Sequence, residues 1–188
     1  MRKILALLIV TIPALTLLVS AGGSAEASNT GTHYCLTNSS SYCWDVKDNS
    51  YKAGQPVWLY STSGANGLGF YGTVQEIVCD GSGCGVGPFT DTALDKKYNG
   101  DDVWFFTAGT TNLCVQLNVD TAAIALSALG QCGSADTLWV QSGHYLINVA
   151  GSDAIGTSDY FTAASNTTGA ALSGKVSGTD WQQWNVPS

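Results

Sequence analysis

Positive charge is scarce in this chain: 7 Lys plus Arg stand against 14 Asp plus Glu, and Arg2 is the sole arginine. Phosphate binding needs Lys and Arg to displace counterions, so nucleic acid is excluded as a partner, and the same shortage argues against an anionic membrane surface. Histidine is limited to His33 and His144, too far apart in sequence to suggest a dyad. The G-x-S-x-G, H-E-x-x-H and P-loop patterns are all missing. CxxC is missing too, and the two histidines alone give a zinc site little support. Glu76 is the one glutamate beyond Glu26, and most aspartates fall in polar turn contexts, a poor setting for a glycosidase carboxylate pair. The expectation is therefore a protein that is not an enzyme and carries no metal and no cofactor.

Long apolar runs are also missing, except at the start. Arg2 and Lys3 precede the run Ile4 to Val19, which ends in Ser24-Ala25-Glu26-Ala27. That order of charge, apolar stretch and small residues reads as a signal peptide over 1–27, hence a secreted, extracellular protein. The run is short for a membrane span and contains Pro13. The remainder, 28–188, is long enough for one domain with a sizeable core. Setting aside Arg2, Lys3 and Glu26 leaves five lysines against thirteen acidic residues, a net charge of −8.

Six cysteines in an exported chain are expected to be bridged. Fifteen pairings are open to six cysteines. Cys79 and Cys84 bracket "DGSG" as a small clamped loop, Cys114 and Cys132 close a loop whose entropy is worth about 3 kcal/mol, and Cys35 with Cys43 remain to meet across a hairpin.

After residue 30 the chain is rich in Gly, Ser, Thr and Asn, with short bursts of Val, Tyr, Trp and Phe. Almost no window keeps a helical period, which predicts short strands and frequent turns. "TAAIALSALG" at 121–130 is the best helical candidate and reads as a loop entering a strand. An internal repeat is visible. "HYCLTNSSSYCWDV" at 33–46 shares its layout with "WFFTAGTTNLCVQL" at 104–117, and "YLINVAGSDAIGTSDYFTA" at 145–163 is a looser copy. Each copy is followed by an alternating segment and then an aromatic near a turn: Phe70, Trp139 and Trp184.

With its "CWDV" and "VWLY" in the first copy, "CVQL" and Trp139 in the second, and Gln182-Gln183-Trp184 in the third, the chain resembles the ricin-B-type β-trefoil lectin family over residues 33–186. The resemblance implies an all-β fold, a β-trefoil of three degenerate repeats at about 33–75, 103–143 and 144–188. Between the first two lies an insertion of about 76–102, clamped by Cys79 and Cys84. The family's closing Q-x-W is reduced to "LGF" at 68–70 and "TLW" at 137–139.

The resemblance also implies a carbohydrate partner. In such repeats an aspartate takes two sugar hydroxyls, an aromatic faces the ring and an asparagine closes the edge. Here those positions fall on Asp45, Tyr60 and Asn66, with Trp58 on the same strand face as Tyr60. A pyranose has a face of C–H groups and a rim of hydroxyls, which suits an aromatic surface with acceptors at its edge. A carboxylate accepts two O–H bonds with charge assistance. Asp45 is accordingly expected in a shallow, wet cleft. The residue after Asn66 is Gly67, where the family carries a glutamine. In the other copies the aspartate position reads Gln116 or Thr162 and the aromatic position Gly130 or Ser173, so those copies are expected to keep architecture and lose binding.

The insertion supports the runner-up, a secreted trefoil that binds or inhibits a protein partner through its loops. Its Asp80, Asp91, Asp95, Asp101 and Asp102 are oxygen ligands of the kind calcium takes. The calcium-loop spacing is missing, so they read as a solvated acidic face.

Overall fold

Alternation of large apolar with polar residues over four to eight positions selects extended backbone, and strands dominate. The structure, a computed structural model, describes residues 31–63, 69–81, 83–87, 89–91, 94, 96–176 and 180–186, without the side chains of 89–91 and 180. The expected signal segment 1–27 lies outside the described residues, as do Asn66, Gly67, Leu68 and Asp95. Among the described residues there are thirteen strands. They are β1 (Cys35–Leu36), β2 (Ser39–Val46), β3 (Val57–Ser61), β4 (Phe70–Cys79), β5 (Cys84–Val86), β6 (Phe89–Asp91), β7 (Asp102–Ala108), β8 (Val115–Asn118), β9 (Ala123–Leu126), β10 (Trp139–Ser142), β11 (Tyr145–Asn148), β12 (Asp159–Ala163) and β13 (Ala170–Lys175).

Their pairing closes a ring. Thr32 bridges Phe70, β4 runs antiparallel to β7, β7 to β10 and β10 to β11. The Trp184 N–H donates to the His144 carbonyl at 2.8 Å, and Leu36 bridges Trp184, which returns the ring to its first strand. Over one end lie three hairpins, β2–β3, β8–β9 and β12–β13. They join in a triangle through Ala170 opposite Leu59, Ser173 opposite Ala123 and Pro56 opposite Ala125. A barrel capped by three hairpins is a β-trefoil.

Barrel and cap share one core. Trp44, Phe70, Phe106, Trp139, Phe161 and Trp184 are fully buried in it, with the Trp44 and Phe161 rings stacked at 4.5 Å. The closing aromatics bind the hairpins to the barrel. The Trp139 indole Nε1 donates to the Val115 carbonyl at 3.3 Å, and that of Trp184 to the Phe161 carbonyl at 2.9 Å. Phe70 stands in their place in the first repeat and has no such donor. The facing position there is Trp44, larger than Val115, so bulk lost at one site is made up at the other.

The three cysteine pairs, Cys35–Cys43, Cys79–Cys84 and Cys114–Cys132, are all bonded. Residues 121–130 enter β9 from a turn, as their sequence suggests.

Two features depart from expectation. A helix, α1 (Val149–Ile155), interrupts the third copy. The Asn148 side chain caps it by accepting from the Gly151 N–H, and Gly156, with φ 69°, ends it in left-handed backbone. The insertion is also more than a clamped loop. Strand β4 continues unbroken to Cys79, β5 and β6 extend its sheet, and Ile77, Cys84, Val86, Leu94, Val103, Leu138 and Val149 form a second core against the barrel. Lys97 and Tyr98 both donate to Asp153 of α1, Tyr98 at 3.0 Å.

Candidate functional site

In an antiparallel ladder, residues directly opposite each other project to the same face. In β2–β3, Trp44 lies opposite Leu59 on the core face, whereas Asp45 lies opposite Trp58 and Cys43 opposite Tyr60 on the outer face. Three of the four expected site residues, Asp45, Trp58 and Tyr60, therefore share one face; Asn66 lies outside the described residues. The Trp58 and Tyr60 rings stack with centroids 5.5 Å apart and planes 29° from parallel. Lys47 Nζ stands 5.4 Å from the Trp58 ring centroid. Trp58 therefore contacts both Tyr60 and Lys47.

Asp45 is deeper than expected. It is 4 % exposed, so the shallow cleft read from the sequence is corrected to a carboxylate set into the hairpin surface. The loop 47–56 brings Tyr51 to its side. Burial, and after it the charge of Asp45, pushes the Tyr51 phenol above its usual pKa. Tyr51 and Lys47 escaped the sequence reading because their approach is made by a turn and not by strand spacing.

The register also corrects two equivalences. The positions matching Trp58 and Tyr60 are Ala125 and Ser127 in the second repeat, and Ser173 and Lys175 in the third. Gly130 lies beyond β9 in a turn, and Ser173 answers to Trp58 instead of Tyr60. The misplacement has a physical cause: the hairpin loops span ten, four and six residues, so counting along the chain loses register. The substituted polar groups are tied inward. Ser127 Oγ accepts from the Cys114 N–H at 2.9 Å, and Thr162 Oγ1 accepts from Gln182 Nε2 at 2.9 Å while donating to the Tyr160 carbonyl at 2.8 Å.

In the insertion, Asp80, Asp101 and Asp102 are exposed, and Asp80 Oδ1 accepts from the Gly83 N–H at 3.2 Å. The Asp91 side chain lies outside the described residues, like Asp95. Among the described residues no group of three or more His, Cys, Asp or Glu is arranged to hold a metal ion. Among them, too, no helix is long and apolar enough to cross a membrane.

A second aspartate, Asp159 at the start of β12, is 6 % exposed. Its carboxylate fits against Gly151 and Gly174, where any Cβ would collide with it, and burial raises its pKa.

No protein-family model and no curated protein sequence matches the chain. Among solved structures, the crystal structure of ThreeFoil, a designed three-fold symmetric protein, is similar with a TM-score of 0.52 and 18% sequence identity, over 81% of this chain and 94% of that one. At that identity the likeness concerns the fold, and it agrees with the topology: the chain folds as a β-trefoil.

Proposed function

We propose that this protein is a secreted, non-catalytic carbohydrate-binding protein whose sugar site is the outer face of the first hairpin. The observation that supports it is the register that sets Asp45 beside Trp58 with Tyr60 stacked next in line, an acceptor and an aromatic surface on one face. Asn66 would close the edge. The matching positions of the other repeats hold no aromatic ring, so the site is single. One such clamp holds a simple sugar weakly, with a Kd on the order of 1 mM, because displaced water offsets most of the hydrogen bonding. Three disulfides accord with an oxidising, extracellular setting. The test is retention on immobilised sugars. Asp45→Ala should abolish retention while circular dichroism stays that of the wild type; retention equal to the wild type would remove the assignment.

A second reading, a trefoil that binds a protein, draws support from β4. Val74 and Val78, 43% and 64% exposed, lie on the strand that carries the insertion. Loss of a protein partner on substituting both by Ser, with sugar retention intact, would favour it.

A further inference from the structure

Strand β4 serves two cores in succession. Phe70 at its start is fully buried in the main core, and Ile77 near its end in the second. Side chains alternate between the faces of a strand, so Phe70, at an even position, and Ile77, at an odd one, point to opposite faces. Where the strand passes from one core to the other, the face that began in the main core is left bare. Val74, Glu76 and Val78 all lie on that face, and all are exposed.

Strand β7 widens the bare face into a shelf. Trp104 lies opposite Val74 and Asp102 opposite Glu76, so each projects the same way as its neighbour. Trp104 is half-buried and stacks on the core residue Phe106, with centroids 5.7 Å apart and planes 6° from parallel. Asp102 is exposed like Glu76. Two carboxylates thus stand side by side across the ladder, an arrangement that weakens an antiparallel pair. Among the described residues neither forms an ion pair with a lysine.

A cation set between them would relieve that repulsion. The Cβ atoms of directly opposed residues are about 5 Å apart, close enough for one guanidinium to meet both carboxylates through its forked donors. Val74 and Val78 flank the acidic pair along the strand. An extended segment has the same two-residue repeat, so apolar, basic and apolar side chains at its alternate positions match Val74, Glu76 and Val78 in order. A second copy of this chain fits poorly, because a two-fold contact centred here would set the same carboxylates against themselves. We infer that this shelf docks an extended segment of a partner protein in which an arginine is flanked, at alternate positions, by apolar side chains. The inference rests on the protein-binding reading of β4 and is independent of the sugar site.

The test uses the whole protein and labelled peptides of sequence Gly-Ser-Val-Thr-X-Thr-Val-Ser-Gly, with X as Arg, Ser or Glu, read by fluorescence polarisation. The Arg peptide should bind about tenfold or more tightly than the Ser peptide, and the Glu peptide should not bind. Glu76→Gln with Asp102→Asn should remove the preference for Arg and raise Tm at low salt, a gain that shrinks as salt is added. Equal affinity for the Arg and Ser peptides, with both lost in Val74→Ser with Val78→Ser, overturns the inference and leaves a protein-binding face standing. A lower Tm in Glu76→Gln with Asp102→Asn also overturns it, since the carboxylates would then have partners inside the fold. So does binding of none of the peptides, or a dimer in sedimentation that the two serine substitutions dissolve, which would give the shelf to a second copy. Undiminished binding of the Arg peptide after those serine substitutions overturns the inference and the protein-binding reading of β4 together.

Discussion

In the first repeat the outward hairpin positions hold Asp45, Trp58 and Tyr60; the second holds Gln116, Ala125 and Ser127 there, and the third Thr162, Ser173 and Lys175. The inward positions are alike in kind, each pairing a hairpin apolar residue with a closing aromatic: Trp44 with Phe70, Val115 with Trp139, Phe161 with Trp184. Inner faces are constrained by shared packing, outer faces only by what meets them. The buried aspartates repeat the contrast. Asp45 is set beside Trp58 and Tyr51, whereas Asp159 lies in a glycine-lined crevice that disfavours its charge.

The largest expected effect breaks the inner likeness. Trp184→Ala should cost about 3–5 kcal/mol, because it empties the core and removes the donor to Phe161; a thermal melt indistinguishable from the wild type would contradict the barrel closure. A smaller change sharpens the comparison. Phe70→Trp places two tryptophans where each other repeat has one and should cost about 1–3 kcal/mol by overpacking. Adding Trp44→Val, which copies the second repeat, should recover part of that loss, and denaturant titration of the double variant measures the coupling.

Asp159 separates the third repeat from the first by pH. Its folded-state pKa is raised, so the ionised carboxylate weakens the fold as pH rises through that pKa. Below the unfolded value, about pH 4, both states are protonated and the penalty vanishes. Asp159→Asn should therefore raise Tm at pH 7, with the gain fading toward pH 3; a gain independent of pH would refute burial of the charge as its cause. The smallest effect concerns α1, an element the first repeat lacks. Asp153→Ala releases Lys97 and Tyr98 and should cost at most about 1 kcal/mol, since the pair is solvent-exposed.

The fold was largely legible because three copies of one layout leave three apolar faces that need a common core, and the aromatics Phe70, Trp139 and Trp184 mark its seams. The helix at 149–155 was not, since "VAGSDAI" has neither length nor period and its cap, Asn148, is the end of a strand. The site was legible to the extent that it follows strand alternation, which carries Asp45, Trp58 and Tyr60 to one face. The left-handed turn at Asp48 and Asn49, which carries the chain on to Tyr51, and the depth of Asp45 leave no period in the sequence.

Calorimetric titration of the retained sugar into the whole protein and into Asp45→Asn tests the central claim most directly. One sugar per chain for the wild type and none for the variant is the predicted result. Two or three sugars per chain, or an undiminished heat in the variant, would contradict a site confined to the first hairpin.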